Sequence, residues 1–161
     1  MDNSHLRLWM DKLAIQEVAV RYTAAADQRR WEIWEEIFTD PIELLLSPKS
    51  GETRKISRAK WIAHEKKVVE SYPATQHAMS NFLIDVEGDK AICQVYVQAR
   101  HFVKDTESHT VFGYYTFHMI RRGSGWNINK YGITLTALDQ RHRENLRRRW
   151  CIAAARVGAL H

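Results

Sequence analysis

Residues 75–103, TQHAMSNFLIDVEGDKAICQVYVQARHFV, decide the fold. They read as two strands, Thr75–Val86 and Lys90–Val103, joined by the tight-turn signal Gly88-Asp89. Successive side chains of a strand point to opposite faces, so parity sorts them. In the second strand the odd positions Ala91, Cys93, Val95, Val97, Ala99, His101 and Val103 make an apolar face, while Gln94, Gln98 and Arg100 lie on the other. His101 is the ionisable member of that inner face. In the first strand His77, Met79, Asn81 and Leu83 share one side, and Ala78, Phe82, Ile84 and Val86 the other. Neither side is cleanly polar, which predicts a strand packed on both faces.

Working outward, His109–Arg121 follows the polar loop Lys104–Ser108, and Gly123-Ser124-Gly125 turns the chain into a strand from Trp126 to about Leu135. Three hairpin links in succession make an antiparallel meander. Toward the N-terminus the period becomes helical. From Leu6 to Ala26 the residues Leu8, Ile15, Val18, Ala19 and Tyr22 fall on or near one face. A short helix follows from Arg29 to Phe38, and Asp40-Pro41 stops it because a residue before proline is pushed out of the α region. Ile42–Leu46 reads as a strand with Pro48–Glu52 as its turn. A third helix starts after Ser57, a good N-cap, and ends before Pro73, with Trp61, Val68 and Tyr72 inward. A last helix runs from about Asp139 to Val157. Helices first and a meander afterwards predict an α+β domain, a curved antiparallel sheet whose N-terminal helices cover an apolar cavity. The expected organisation is one domain over 1–161, with 138–161 a basic C-terminal helix.

Composition agrees. A chain of 161 residues that is 45% hydrophobic suits one globular domain, and six Trp, six Tyr and five Phe can line a pocket. No stretch approaches the roughly 18 apolar residues of a membrane span, and residues 1–11 lack the pattern of a secretory signal. Cys93 and Cys151 show no metal-ligand spacing and fit a reduced, cytoplasmic protein. The net charge of +5 is concentrated between Arg141 and Arg149, where five arginines face one glutamate. A nucleic-acid surface would interleave basic and aromatic residues along the chain, so neither nucleic acid nor membrane is expected as a partner.

An imidazole on an apolar face needs a hydrogen-bond partner or a chemical role, and both readings stand for His77 and His101. Asp27 is explained equally by N-capping the Arg29–Phe38 helix, and Tyr22 by packing. His5, His64, His109, His142 and His161 read as exposed. The chain has no Gly-rich phosphate loop, no His-Glu-x-x-His and no Gly-x-Ser-x-Gly elbow.

Taken in order, these pieces resemble a family. A helix with Tyr22 and Asp27 leads into Trp31…Phe38-x-Asp40. Then come Thr75-Gln76-His77-Ala78-Met79-Ser80-Asn81, Glu87-Gly88-Asp89-Lys90-Ala91, His101 near a strand end, and Trp126-x-Ile128. The pattern, over roughly Leu6 to Leu135, is similar to the SnoaL-like branch of the nuclear transport factor two-like superfamily. That branch includes scytalone dehydratase, the bile acid dehydratases and hexachlorocyclohexane dehydrochlorinase. The resemblance implies a cone-shaped fold and a cofactor-free lyase or isomerase acting on a small, largely apolar cyclic substrate. Carried over, His77 matches the base, Asp27 its orienting carboxylate, Tyr22 a pocket hydroxyl and His101 the second histidine. Trp31, Trp34, Met79, Asn81 and Phe117 are the expected substrate-binding residues, with no metal and no cofactor. A neutral imidazole is a competent base near pH 7, and a carboxylate on its far nitrogen fixes the tautomer. Relatives form dimers or trimers, so a homo-oligomer is implied. The same fold also hosts non-catalytic binding and subunit modules. That alternative predicts either a cavity filled by Trp31, Trp34, Met79 and Phe117 or His77 and Asp27 too far apart to bond.

Overall fold

A computed structural model describes residues 3–47, 51–103 and 108–140. Among them the order is α1 (Asn3–Gln28), α2 (Glu32–Ile37), β1 (Phe38–Ser47), β2 (Glu52–Ile56), α3 (Arg58–Glu70), β3 (Ala74–Glu87), β4 (Lys90–Phe102), β5 (Ser108–Arg122) and β6 (Gly125–Gln140). The strands form one curved sheet in the order β2-β1-β6-β5-β4-β3. The expected meander is β3 to β6, antiparallel throughout. β1 joins it through a parallel pairing with β6, Phe38 lying opposite Ile128, so the sheet is not wholly antiparallel. β2, expected in part as a turn, pairs antiparallel with β1. Its sequence, ETRKI, has only Ile56 buried, so it carries no alternation to reveal a strand; pairing with β1 makes it one.

Alternation holds along β4 and β5. Ala91, Cys93, Val95, Val97 and Ala99 are buried on one, and His109, Val111, Tyr115, Phe117 and Met119 on the other. His109, expected at the surface, is 1% exposed because it shares parity with Phe117.

β3 is where the parity reading fails. Ser80 pairs with Tyr96 but Leu83 with Gln94, so β3 carries one extra residue. This is a bulge, with Asn81 in the left-handed region at φ 54°. The inward parity passes from Thr75, His77 and Met79 to Phe82, Ile84 and Val86, and Leu83 is 61% exposed. β3 therefore has one apolar face that changes register, not two. β6 does the same near Asn129, opposite His118 and Met119. Trp126 and Ile128 are inward before that bulge, and Tyr131 and Ile133 pack on the core after it.

The helices cover the inner face. The buried stripe of α1 starts at Ile15 and continues through Val18, Ala19, Tyr22, Ala25 and Ala26, whereas Leu8 is exposed. α2 is shorter than expected because Arg29 leaves the helical region and Phe38 already belongs to β1. α3 begins after Ser57, whose side chain accepts from the Lys60 backbone N–H, and it buries Trp61, Ile62 and Val69. Phe38 and Phe117, both fully buried, each contribute about 1.5–3 kcal/mol of transfer free energy. The first half of α1 is tied to the β5–β6 end by Asp11. Its carboxylate accepts two hydrogen bonds from Arg121, at 2.8 and 2.9 Å, and one from Trp126 Nε1 at 3.2 Å. No described helix is long and apolar enough to cross a membrane. Of the expected C-terminal helix, Asp139 and Gln140 instead end β6, and the rest lies outside the described residues.

Candidate active site

The site begins where α1 ends. The Arg30 N–H reaches Ala25 O at 2.9 Å and the Arg29 N–H reaches Ala26 O at 3.4 Å, a Schellman closure. Arg29 stands at φ 60°, where glycine is usual. Its guanidinium offsets the backbone cost by donating to Ala26 O (2.6 Å), Thr75 Oγ1 (3.2 Å) and Tyr72 O (3.1 Å). The end of α1 is thereby fastened to the start of β3, with Asp27 in the last turn facing that strand.

The strand engages the Asp27 carboxylate on both oxygens. Oδ1 receives the Thr75 hydroxyl at 2.9 Å and lies 2.7 Å from His77 Nδ1, while Oδ2 accepts the His77 backbone N–H at 2.8 Å. Thr75 Oγ1 can accept from Arg29 and donate its one proton to Asp27, so the contacts form a continuous chain from Arg29 to His77. Asp27 does not cap α2, which opens at Trp31 without a side-chain cap. Burial pushes the Asp27 carboxyl up, but the His77 ring and backbone N–H together with Thr75 outweigh it and hold the pKa below the ordinary carboxylate value. With Asp27 ionised and the imidazole neutral, Nδ1 carries the proton and Nε2 is left with a lone pair.

His77 lines an open cavity of about 290 Å³. Tyr22, Trp34, His101, Tyr115 and Tyr131 share its wall, with aliphatic residues of β1 and β6. The His101 ring stacks on His109 at 4.9 Å between centroids and meets His77 edge-on at 6.1 Å. Burial, followed by the neighbouring His109 and His77, pushes His101 down to about 3, so it is neutral in the physiological range. Its buried Nδ1 has no hydrogen-bond partner among the described residues. Tyr22 donates to the Tyr131 hydroxyl at 2.9 Å, and burial raises both phenols well above their ordinary value. These hydroxyls therefore stay protonated and act as hydrogen-bonding groups.

Tyr22, His77 and His101 thus meet at one cavity, and Asp27 stands behind His77. Of the expected substrate-binding residues, Trp34 lines this cavity. Phe117 is fully buried in the core against Tyr22. Trp31 lies against Trp34 with Lys66 over its ring, and Met79 packs on the core. Asn81 does not line the cavity: the β3 bulge turns it outward, and it is exposed.

Glu65, His64, Tyr115 and Tyr131 also line the cavity and were not anticipated there. Glu65 had a visible signal, since Trp61, Glu65 and Val68 fall at i, i+4 and i+7 on the expected inner stripe. Tyr115 shares odd parity with His109 and Phe117. Tyr131 had no such signal, because the β6 bulge reverses parity just before it. Among the described residues no three His, Cys, Asp or Glu side chains are grouped to hold a metal ion.

The fold and sequence have relatives. An uncharacterized protein of Mycobacterium tuberculosis is 28% identical over 121 residues, 73% of this chain and 80% of that protein. The Kfla4162 protein from Kribbella flavida superposes with a TM-score of 0.74 at 20% identity, over 82% of this chain and 95% of that one. Hexachlorocyclohexane dehydrochlorinase LinA-type3 from Novosphingobium barchaimii gives 0.71 at 19% identity, covering 87% and 96%. At such identities the structural likeness is one of fold. A family model, the SnoaL-like domain, matches residues 8–132, from the exposed start of α1 through the Tyr131 wall of the cavity. The chain belongs to the SnoaL-like domain family.

Proposed function

We propose that this protein is a lyase or isomerase that abstracts a proton from a small, largely apolar cyclic substrate, with His77 as base and Asp27 as its orienting carboxylate. The observation that carries this reading is the 2.7 Å contact between Asp27 Oδ1 and His77 Nδ1 at the wall of an open cavity. A carboxylate on Nδ1 selects the tautomer whose Nε2 accepts a proton and stabilises the imidazolium that results. Most of the surrounding wall is apolar, which strengthens that interaction by excluding water. Such proton abstraction requires no bound cofactor. His101, held neutral, and the Tyr22–Tyr131 pair supply hydrogen bonds for a carbonyl or enolate oxygen rather than protons. Membership of a fold shared with a dehydrochlorinase is consistent with elimination. The non-catalytic alternative is disfavoured by the same geometry, because Asp27 and His77 are bonded and Trp31, Trp34, Met79 and Phe117 leave the cavity open.

The test uses 5-nitrobenzisoxazole, a chromogenic compound that opens when a base removes its ring C–H proton. The wild type should turn it over with a rate that collapses in His77→Ala, by about 100-fold or more, while the far-UV circular dichroism is unchanged. Equal turnover by the two proteins would remove His77 from the base role.

A further inference from the structure

The cavity wall carries a carboxyl that the His77–Asp27 pair does not use. Glu65 projects from α3 on the stripe of Trp61 and Val68, and all three line the same cavity as His77. No described residue hydrogen-bonds or ion-pairs with its carboxyl; burial alone acts on it and pushes its pKa up to about 7. The groups around it are Tyr22 from α1, Tyr115 from β5 and Tyr131 from β6, all of whose ionisation its charge opposes. His64 lies beside it on α3, and His77 and His101 share the cavity from β3 and β4. Glu65 is half-buried in the cavity wall, where desolvation of its unpartnered carboxyl costs stability, and a leucine would complete the α3 stripe without that cost. A carboxyl kept there despite that cost points to a role toward ligand. Three other polar groups of the wall, Tyr22, Tyr131 and His101, do not supply a proton readily. Tyr22 and Tyr131 are held far above neutrality, and His101 carries no extra proton to give.

We propose that Glu65 is the acid partner of His77, meeting the leaving oxygen of the substrate and protonating it as His77 takes a proton from carbon. This rests on the base role argued above for His77. In the step, Nε2 of His77 gains the proton from carbon, and the C–H electron pair becomes the new double bond. The carbon–oxygen bond breaks, and the Glu65 carboxylic proton passes to the departing oxygen. One proton enters at His77 and one leaves from Glu65, so a hydroxyl departs as water. Transfer of a proton from His77 to Glu65 through solvent restores both groups.

The test compares two benzisoxazoles as probes. Both lose the same ring proton to a base and break a nitrogen–oxygen bond. The 5-nitro compound releases a stable phenolate, and the unsubstituted one releases a phenolate that benefits from protonation. Glu65→Gln should slow the unsubstituted probe about 100-fold and the nitro probe less than about 5-fold. His77→Ala should slow both. Independently of turnover, 2-cyanophenol binding is followed by tryptophan fluorescence at pH 8.5, where the probe is anionic. Glu65→Gln should bind it about tenfold tighter, since a carboxylate no longer opposes the phenolate. Equal slowing of both probes with unchanged phenolate affinity overturns the proposal, as does a selective loss that appears in His64→Gln instead. If His77→Ala leaves both rates intact while Glu65→Gln still changes phenolate affinity, the base reading fails. The pairing fails with it, and Glu65 remains a ligand contact only.

Discussion

Replacing Asp27 by asparagine tests how the site is built, and the outcome follows from its hydrogen bonds. Oδ1 faces two groups, His77 Nδ1 and the Thr75 hydroxyl, and Oδ2 faces one, the His77 backbone N–H. An asparagine has one acceptor and one donor to distribute over these positions. If its oxygen stays on the Nδ1 side, its NH2 confronts the backbone N–H, two donors with nothing between them. If it flips, the oxygen takes the backbone N–H, and the NH2 donates to Nδ1 and Thr75 Oγ1, both of which can accept. The clash of the first arrangement costs about 1–3 kcal/mol, so the flipped one predominates by roughly 5- to 150-fold. It forces the proton onto Nε2 and turns the free nitrogen of His77 from an acceptor into a donor. With the carboxylate charge also gone, turnover of 5-nitrobenzisoxazole should fall about 10²–10⁴-fold. Nitrogen-15 NMR of the imidazole reads the cause directly. The wild type should show Nδ1–H with a bare Nε2, and Asp27→Asn the reverse. A variant that keeps the wild-type tautomer, or loses less than about tenfold in rate, would refute this account.

Two further outcomes follow from the fold. Hydrogen bonds from Arg121 hold the Asp11 carboxyl below the ordinary carboxylate value, with Trp126 and nearby charge adding to the effect against burial. Its folded pKa is therefore lower than its unfolded one. The stability it contributes is fully present above the unfolded pKa and falls as pH drops through about 4 toward the folded value. Asp11→Asn should flatten the loss of stability between about pH 4 and pH 2 in urea titrations, and an unchanged slope would count against the Asp11–Arg121 clasp. A Cβ built on Gly113 meets the Thr134 carbonyl oxygen at 2.2 Å, beside a register shift in the β5–β6 pairing, whereas one on Gly123 meets nothing within 4 Å although φ there is +59°. Gly113→Ala should therefore lower stability by about 3 kcal/mol and Gly123→Ala by about 1. Melting curves showing the opposite order would contradict the register given for β5 and β6.

Much of the fold was legible because its signals are local. The strict alternation of Ala91 to Ala99, the Gly88-Asp89 turn and the Gly-Ser-Gly turn before Trp126 each act within a few residues. The family resemblance also brought Tyr22, Asp27, His77 and His101 forward together, although periodicity alone left each with a structural explanation. Asn81 was misread because a bulge adds one residue to β3 and reverses every later side chain. His109 was legible in principle, since its parity matches Phe117, but a histidine after a polar loop reads as surface. Glu65 was hidden by its type: a carboxylate on a helix is ordinarily solvated, even one that lies on the stripe of Trp61 and Val68.

By itself the sequence determined the sheet around a pocket: the three N-terminal helices, the strands of the meander, and which face of β4 is apolar. Those properties depend on period and turn chemistry, which are written residue by residue. Only the tertiary structure decided how the edges pair, with β1 running parallel to β6 and β2 added beside it. It also decided where the inward parity switches and what surrounds each polar group in the cavity. Those outcomes depend on long-range register, and Asp27 and His77 show this most clearly. They are fifty residues apart in the chain. The last turn of α1, held by Arg29 in a left-handed conformation, brings them within 2.7 Å of each other.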